Sequence, residues 1–272
     1  MPAFICVTCG TQFPHTDVPP SSCPICDDER QYVPASGQRW TTLEAMRGSH
    51  FTTWRQHEPG LLGIGTAPSF AIGQRALLLR LPGGNVLWDC LSFIDDATVA
   101  LAKAVGGIRA IAISHPHYYA SMVEWADAFG AEIWLHAADR EHVVRPSERI
   151  RFWSGERMVL AEGVTLINTP SHFAGATMLH WADGAGGAGA LLSGDIFQVV
   201  PDTRFVSFMR SYPNLIPLPA HVVRAMWAAM EPFAYEHVYG AFWDRVMLRD
   251  GKANVARSVG RYLHWISPEA RP

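Results

Sequence analysis

Three apolar, strand-like runs in this chain are each followed by residues that can bind a metal ion. His115 and His117 follow residues 108–113, His172 follows residues 164–168, and Asp195 follows residues 190–192. Neutral imidazoles together with a carboxylate are the ligand mixture that zinc and non-haem iron accept. One histidine at a strand end would be interpreted as an ordinary polar residue. Because the pattern recurs at three strand ends, the sequence predicts a shared metal site.

The order of these motifs is similar to that of a known superfamily. Ser-His115-Pro-His117 comes first, Thr-Pro-Ser-His172-Phe-Ala-Gly second, and Leu-Leu-Ser-Gly-Asp195 third. In this order and spacing the chain resembles the metallo-β-lactamase-fold hydrolases over roughly residues 60 to 265. The resemblance implies an α/β (α+β) fold, a four-layer αββα sandwich with a small N-terminal module that resembles a zinc ribbon.

The chain departs from the family pattern in one half of the metal site. The family's first motif is His-x-His-x-Asp-His, and its trailing Asp-His pair serves a second metal ion. Tyr119 and Ala120 occupy those two positions here. The family's last histidine follows a late strand, whereas His237 begins the matching stretch in this chain and is interpreted as structural. The resemblance therefore implies a single zinc or iron(II) ion, held by the three histidines and Asp195.

The expected reaction is hydrolysis of a small-molecule ester, thioester or lactone. A divalent ion lowers the pKa of its bound water toward about 7, and Asp195 would orient that water or accept its proton. If Asp195 and all three histidines bind zinc directly, a fifth ligand position is needed for catalysis. Tyr119 is a candidate hydrogen-bond partner of the water or the substrate, and the alternative is that its ring only fills space.

Candidate substrate contacts follow two of the metal-binding motifs. Tyr118 comes directly after the paired histidines, so it must lie near the metal if the motif is real. Residues 205–217 are too rich in aromatic residues and proline for a plain helix, and irregular segments near a site often form specificity walls. We expect Arg210 and Tyr212 to meet the substrate, with Arg210 suited to a carboxylate or phosphate group. The alternative for Arg210 is an ordinary surface ion pair.

Two other classes of function remain open from the sequence. Histidines plus one carboxylate, with open positions, form the arrangement that non-haem iron oxygenases use, and the superfamily includes iron-dependent sulfur dioxygenases. Loss of the second-metal half of the motif is also compatible with a catalytically inactive scaffold protein. Retention of all the first-metal ligands argues against the scaffold.

Two Cys-x-x-Cys pairs near the N-terminus predict a second metal site. Each pair, Cys6 with Cys9 and Cys23 with Cys26, can bind one side of a tetrahedral ion. The pattern is similar to both zinc ribbons and rubredoxin knuckles, and we expect structural zinc rather than redox iron. A role in folding or in protein contact is expected. The fifth cysteine, Cys90, lies on a predicted strand and is expected to be a buried apolar residue.

Composition limits the possible partners. The chain has 272 residues, of which 49% are hydrophobic and 17% charged, with a formal net charge of −3. These values are typical of a globular protein, and the weakly negative charge does not favour nucleic acid as a partner. The short apolar runs predict neither a membrane span nor a leader peptide. We therefore expect a cytoplasmic protein that acts on a small molecule, with homo-oligomerisation as a further possibility.

Local patterns predict the order of elements and domains. Turn residues at 82–85 predict a hairpin of strands 76–81 and 86–90, and the glycine-rich residues 182–189 predict a second hairpin loop. The predicted helices are residues 95–105, 121–129, 218–230 and 254–265. The predicted domains are a knuckle at 1–37, a connecting segment at 38–60, and a metallo-β-lactamase-like domain at 61–272.

Overall fold

The computed structural model describes residues 1–268. The chain divides into two compact units, of which the first is Met1–Trp153 and the second begins at Ser154. None of the helices within residues 1–268 has both the length and the apolar character needed to cross a bilayer. The division of the sequence into three domains stays a prediction.

A small sheet begins the first unit. Its strands are ordered β2-β1-β3, with both pairs antiparallel. The strands and the two short helices of this region are β1 (Ala3–Cys6), β2 (Gln12–His15), β3 (Trp40–Thr41), α1 (Pro24–Asp27) and α2 (Leu43–Arg47). Thr42 begins α2 because its hydroxyl accepts a hydrogen bond from the backbone N–H of Ala45.

A seven-stranded sheet forms the rest of the first unit, in the order β10-β9-β8-β7-β6-β5-β4. The strands from β4 to β7 are antiparallel, and those from β7 to β10 are parallel. Its strands are β4 (Phe51–Glu58), β5 (Leu61–Ala67), β6 (Ala76–Leu79), β7 (Val86–Trp88), β8 (Ala110–Ala112), β9 (Glu132–His136) and β10 (Ile150–Trp153). The parallel part needs crossover connections, and helices supply two of them.

The crossover helices α3 (Asp96–Ala104) and α4 (Met122–Phe129) begin and end where local sequence directs. The carboxylate of Asp95 accepts a hydrogen bond from the N–H of Thr98, and Gly130 ends α4 in the left-handed conformation at φ 69°. Two 3-10 helices, Pro116–Tyr118 and Ala137–His142, follow β8 and β9. The first of them carries His117 directly beyond the end of a buried parallel strand.

A six-stranded sheet in the order β11-β12-β13-β14-β19-β20 organises the second unit. Only β14 and β19 are parallel neighbours among these described strands. The sheet strands are β11 (Arg157–Ala161), β12 (Val164–Asn168), β13 (Thr177–Trp181), β14 (Ala190–Gly194), β19 (His237–Gly240) and β20 (Val246–Met247). Between β14 and β19 in sequence, the chain forms two short antiparallel ribbons. They pair β15 (Gln198–Val199) with β16 (Val206–Ser207), and β17 (Met209–Ser211) with β18 (Ile216–Pro217).

Helices α5 (Gly184–Gly187), α6 (Ala220–Met230) and α7 (Gly251–Trp265) complete the second unit. Val223 and Met226 of α6 and Val255 of α7 are fully buried, and they join one apolar cluster with Leu191 and Val238 of the sheet. Side chains three or four positions apart share one helix face, which is why these helices bury a single stripe. This packing fixes β14 through Leu191, and it thereby positions Asp195, the residue directly after β14.

The structure corrects several predicted boundaries. Helix α6 begins at Ala220 rather than at residue 218, and α7 begins at Gly251 rather than at residue 254. The hairpin predicted around residues 182–189 is confirmed by the antiparallel pairing of β13 with β14, but its loop contains the helical turn α5. The strand predicted at residues 108–113 is shorter, spanning Ala110–Ala112.

Candidate metal centres

Four buried cysteine thiols converge in the N-terminal region. Their Sγ atoms all lie within 4.8 Å of one another, and the Sγ–Sγ distances are 3.6 Å for Cys6–Cys26 and 3.6 Å for Cys9–Cys23. Thiolates bound tetrahedrally to zinc at about 2.3 Å stand roughly 3.8 Å apart. All four are free thiols, so each can offer its sulfur to the ion. The donor set therefore fits one tetrahedral ion.

Each pair of cysteines is held by its own short turn. Cys6 ends β1, and its carbonyl accepts a hydrogen bond from the N–H of Gly10 at 2.8 Å. The carbonyl of Cys23 likewise accepts from the N–H of Cys26 at 2.9 Å, at the start of α1. Hydrogen bonds among the thiols lower the pKa of Cys6, with Cys23 as the largest cause, and raise the pKa of Cys9 and of Cys26. The four thiols thus share their protons, and a metal ion requires them as thiolates.

Three buried imidazoles can offer ligands to a metal ion. In the first unit, the rings of His115 and His117 lie with their centroids 5.0 Å apart. His172 belongs to the second unit, and the three side chains are 1%, 6% and 2% exposed, respectively. Burying neutral imidazoles costs less than burying charged ones, and neutral imidazole is the form that binds a metal. Donors of this type suit a divalent transition-metal ion.

Neighbouring residues fix the orientation of His115. The Oγ atom of Ser114 hydrogen bonds to the Nδ1 atom of His115 at 2.9 Å. The backbone N–H of Ser114 in turn donates to the Oδ1 atom of Asp89 at 2.8 Å. A hydrogen bond at Nδ1 sets the ring orientation and directs the Nε2 side toward a metal ion. The ring of Tyr118 packs on the same imidazole, with ring centroids 4.6 Å apart.

His117 is held in its neutral form. The pKa of His117 is lowered to about 3, chiefly by burial and next by the positive charge of Arg30, while the negative charge of Asp28 opposes the change. Arg30 and Asp28 form a close ion pair, with Nη2 of Arg30 2.5 Å from Oδ2 of Asp28, and the Arg30 side chain is 13% exposed. The cysteine-rich region therefore places a partly buried ion pair near the paired histidines. Sequence analysis missed this pair, although Arg30 is the only basic residue within residues 1–37.

His172 and Asp195 lie close to each other in the second unit. The distance from Nε2 of His172 to Oδ1 of Asp195 is 3.7 Å, and both side chains are almost fully buried. Asp195 directly follows β14, whose last residue, Gly194, has a φ of 55°. Glycine tolerates this left-handed conformation, which turns the chain away from the strand. The placement of Asp195 directly after a strand agrees with the pattern seen in the sequence.

The tyrosines that follow the paired histidines differ in their surroundings. Tyr118 is fully buried and packs on His115. The hydroxyl of Tyr119 donates to the backbone oxygen of Asp139 at 3.5 Å, and burial raises the pKa of Tyr119 well above its ordinary value. A Tyr119 that stays protonated is a donor rather than a base. Its role toward substrate or water stays a prediction.

The two residues predicted to meet substrate lie on or beside the ribbon β17–β18. Arg210 is the central residue of β17. The hydroxyl of Tyr212 donates to the backbone oxygen of Ser207 at 3.0 Å. Burial, and after it the negative charge of Asp195, raise the pKa of Tyr212 well above its ordinary value. The Tyr212 phenol therefore lies in the electrostatic neighbourhood of Asp195, while substrate contact by either residue stays a prediction.

Comparison with known proteins identifies one close relative and the fold. No family model matches the chain. The chain is 48% identical over 271 residues to "Uncharacterized protein YmaE" of Bacillus subtilis (strain 168), a match that covers 99% of this chain and 98% of YmaE. An identity this high over the full length shows a shared family.

Solved metallo-β-lactamases are similar in structure. The DIM-1 enzyme has a TM-score of 0.59 at 11% identity, covering 79% of this chain and 98% of DIM-1. The mono-zinc form of FIM-1 from Pseudomonas aeruginosa has a TM-score of 0.58 at 13% identity, covering 77% of this chain and 95% of FIM-1. The SMB-1 enzyme has a TM-score of 0.51 at 18% identity, covering 80% of this chain and 97% of SMB-1. The predicted fold class is confirmed: the chain has the metallo-β-lactamase fold, and it belongs to the same family as YmaE of Bacillus subtilis.

Proposed function

We propose that this chain is a mononuclear metal-dependent hydrolase that acts on a small-molecule ester, thioester or lactone. The observation that carries the proposal is that each unit holds one buried pair of potential ligands, His115 with His117 in the first and His172 with Asp195 in the second. We propose that the two pairs share one ion. Hydrolases of this fold are a known precedent, and the mono-zinc form of FIM-1 shows that a relative in fold can hold one zinc ion.

A single ion is proposed because the second-metal positions hold other residues. Tyr119 and Ala120 stand where the metallo-β-lactamase-fold hydrolases carry the Asp-His pair of the second metal. Tyr119 and Ala120 are 3% and 4% exposed, respectively. A phenol and a methyl group in these positions cannot replace a carboxylate and an imidazole as ligands of a second ion.

The proposed division of roles follows from the surroundings of each side chain. The three imidazoles would hold the ion, and Asp195 would complete the set or accept a proton from the attacking water. The ion would supply Lewis acidity and make a bound water easier to ionise near neutral pH. Ser114 fixes the ring of His115, and burial keeps His117 neutral, so the His117 imidazole needs to lose no proton before metal binding.

The guanidinium of Arg210 favours a substrate with an anionic group. Arg210 lies on β17 in the segment that follows Asp195, whereas Arg30, beside His117, is already bound to Asp28. A planar guanidinium can bind a carboxylate or phosphate through two hydrogen bonds. We propose that such a group accompanies the scissile bond of the substrate.

Metal analysis of one matched pair of variants tests the proposal. His117→Ala should lose about one equivalent of metal and lower hydrolysis of thioester and lactone test substrates at least 100-fold. His180→Ala removes another buried imidazole, one that hydrogen bonds to the backbone oxygen of Ala234, and should keep both metals. Unchanged metal content in His117→Ala would show that His117 does not bind a metal ion and would contradict the proposed site.

The same measurement separates the rival functions. Stoichiometric iron at the imidazole group, in protein purified without added metal, would favour the non-haem iron oxidoreductase over the hydrolase. Loss of metal in His117→Ala with unchanged function in cells would instead favour the scaffold protein. Zinc at the site, together with loss of hydrolysis, supports the proposal made above.

A further inference from the structure

The loop that carries the paired histidines, residues 113–121, is hydrogen bonded to the cysteine-rich region, residues 1–37. Ala120 closes this loop, and its backbone oxygen accepts a hydrogen bond from the N–H of Gln12 at 3.1 Å. Ala120 has a φ of 45°, which is costly for a residue with a side chain and persists only when the surroundings hold it. Gln12 belongs to the segment directly after Cys9, so a ligand of the four-cysteine site lies three residues from this contact.

A serine joins the same two segments from the other side. The Oγ atom of Ser92 donates to the backbone oxygen of Gly10 at 2.7 Å, and the backbone oxygen of Ser92 accepts from the Oγ atom of Ser121 at 2.9 Å. Ser92 and Ser121 are 5% and 1% exposed, and Gly10 is also buried. A Cβ atom on Gly10 would stand 2.4 Å from the Oγ of Ser92, so only glycine permits this approach.

Little free space remains beside the former second-metal positions. Tyr119 and Ala120 line a cavity of about 10 Å³ together with Thr11 and Gln12. A single water needs roughly 10 to 15 Å³, so this cavity is at the lower limit for one water. Gln12 is further fixed by Arg145, which donates to its side-chain oxygen and also to Glu124 on α4 at 2.8 Å. The residues after Cys9 thus pack against Tyr119 and Ala120, the two positions that carry second-metal ligands in other members of the superfamily.

We propose that Gly10, Gln12 and Ser92 are positioning residues for His115 and His117, so that metal binding at the four cysteines raises the metal affinity of the imidazoles. The inference rests on the proposed metal site at the histidines. A metal bound through Cys9 would fix the backbone of the next three residues. Gln12 bonds to Ala120 directly, and Gly10 is joined to Ser121 through Ser92. Binding at the cysteines and binding at the imidazoles then both require the loop that carries His115 and His117 to be ordered. By thermodynamic linkage, each site raises the affinity of the other by the same factor.

A substitution at Gly10 tests the coupling without touching a ligand. In Gly10→Ala, the added Cβ must displace either the Ser92 side chain or the backbone of the cysteine-rich region at residue 10. The matched control is Gly37→Ala, because Gly37 has a similar φ of 82° and no atom within 4 Å of an added Cβ. Both variants therefore place an alanine in a left-handed conformation of the N-terminal region. Only Gly10→Ala disturbs the contact with the histidine loop.

Cobalt(II) substitution reads the two sites separately. Thiolate-to-cobalt absorption reports the four cysteines, and d–d absorption without a thiolate band reports the imidazoles. We expect Gly10→Ala to keep the thiolate band and to weaken cobalt binding at the imidazoles at least 10-fold, while Gly37→Ala matches the unaltered protein. Equal imidazole affinity in all three proteins would overturn the proposal.

A milder variant and a second readout cover other outcomes. If Gly10→Ala does not fold, Ser92→Ala removes only the hydrogen bond to Gly10 and should weaken metal binding at the imidazoles about 3-fold. No change in that affinity would overturn the proposal.

Hydrogen exchange measures loop order directly, because the N–H groups of Tyr118 and Tyr119 bond to the carbonyls of His115 and Pro116. With metal bound only at the cysteines, these amides should exchange at least 10-fold faster in Gly10→Ala than in Gly37→Ala. Absence of metal at the imidazoles of the unaltered protein would contradict the proposed function, whereas equal exchange rates would contradict the positioning role.

Discussion

The Oδ1 atom of Asp195 lies 3.7 Å from the Nε2 atom of His172, and both side chains are buried. This distance is longer than a charge-assisted hydrogen bond, which is roughly 2.7 to 2.9 Å. Two ligands bound tetrahedrally to one ion at about 2.1 Å stand roughly 3.4 Å apart. The geometry therefore resembles two ligands of a shared ion more than a directly hydrogen-bonded pair.

The first prediction concerns the charge of Asp195. Asp195→Asn should lower metal affinity at the imidazole group roughly 10- to 100-fold, because the neutral amide is a weaker ligand and a weaker orienting group. Titration with zinc in competition with a chelator measures the change. Asp139→Asn is the control, since Asp139 is also buried, at 2% exposed against 8% for Asp195, but belongs to the 3-10 helix Ala137–His142 of the first unit. Unchanged affinity in Asp195→Asn would show that the carboxylate is not a ligand.

The second prediction concerns the four-cysteine site. Cys23→Ser should lose about one equivalent of metal and lower the melting temperature by roughly 10 °C, because the ion would join the turn that carries Cys6 and Cys9 to the turn that carries Cys23 and Cys26. Metal analysis and thermal unfolding measure the two effects. Cys90→Ala should keep the full metal content, since Cys90 is a buried free thiol outside the cluster. Full metal content in Cys23→Ser would contradict the tetrathiolate assignment.

Local patterns were sufficient to predict much of both metal groups. A Cys-x-x-Cys pair encodes its own turn, as the hydrogen bond from Gly10 to Cys6 shows, so its ligand role is readable without the fold. The ends of α3 and α4 were predicted because Asp95 and Gly130 act through neighbouring backbone atoms. The three histidines were predicted to act together because each follows a strand-like run and the motif order is that of a known superfamily, and their shared metal site stays a prediction.

Features that depend on distant segments could not be predicted. Helix α7 begins three residues early because the N–H groups of Gly251 and Lys252 bond to the carbonyls of Glu236 and Tyr235, a tertiary contact that has no local signature. The coupling of Arg30 to His117 joins positions far apart in sequence. The docking of Gln12 on Ala120 is equally non-local, so the packing beside the histidine loop was invisible in the sequence.

The third prediction separates a structural from a functional role of Tyr212. Tyr212→Phe and Tyr262→Phe each remove one phenol hydrogen bond to a backbone oxygen, to Ser207 and to Leu218 respectively. Each should therefore lower the free energy of unfolding by about 1 kcal/mol. Only the Tyr212 phenol is coupled to Asp195, so only Tyr212→Phe should lower kcat/KM, by roughly 10-fold. Equal kcat/KM in the two variants would exclude Tyr212 from the site.

The fourth prediction concerns the pH dependence of stability at His57. Burial, followed by the positive charges of Arg75 and Arg55, lowers the pKa of His57 to about 4 from an ordinary 6.5. The Nη1 atom of Arg75 donates to Nε2 of His57 at 2.8 Å, and only a neutral imidazole can accept this bond. As the pH falls from about 6.5 to 4, the unfolded chain takes up a proton that the folded chain excludes, so stability is lost across this interval.

His57→Gln isolates this contribution. The glutamine can still accept a hydrogen bond from Arg75 but does not titrate, so the free energy of unfolding should fall less between pH 6.5 and 4 than in the unaltered protein. The difference should be roughly 1 to 2 kcal/mol, because His57 is partly exposed and solvent screens its charge. Urea unfolding at several pH values measures it, with His15→Gln at an exposed position as the control. Parallel curves for His57→Gln and the unaltered protein would show that His57 does not titrate differently in the folded and unfolded states.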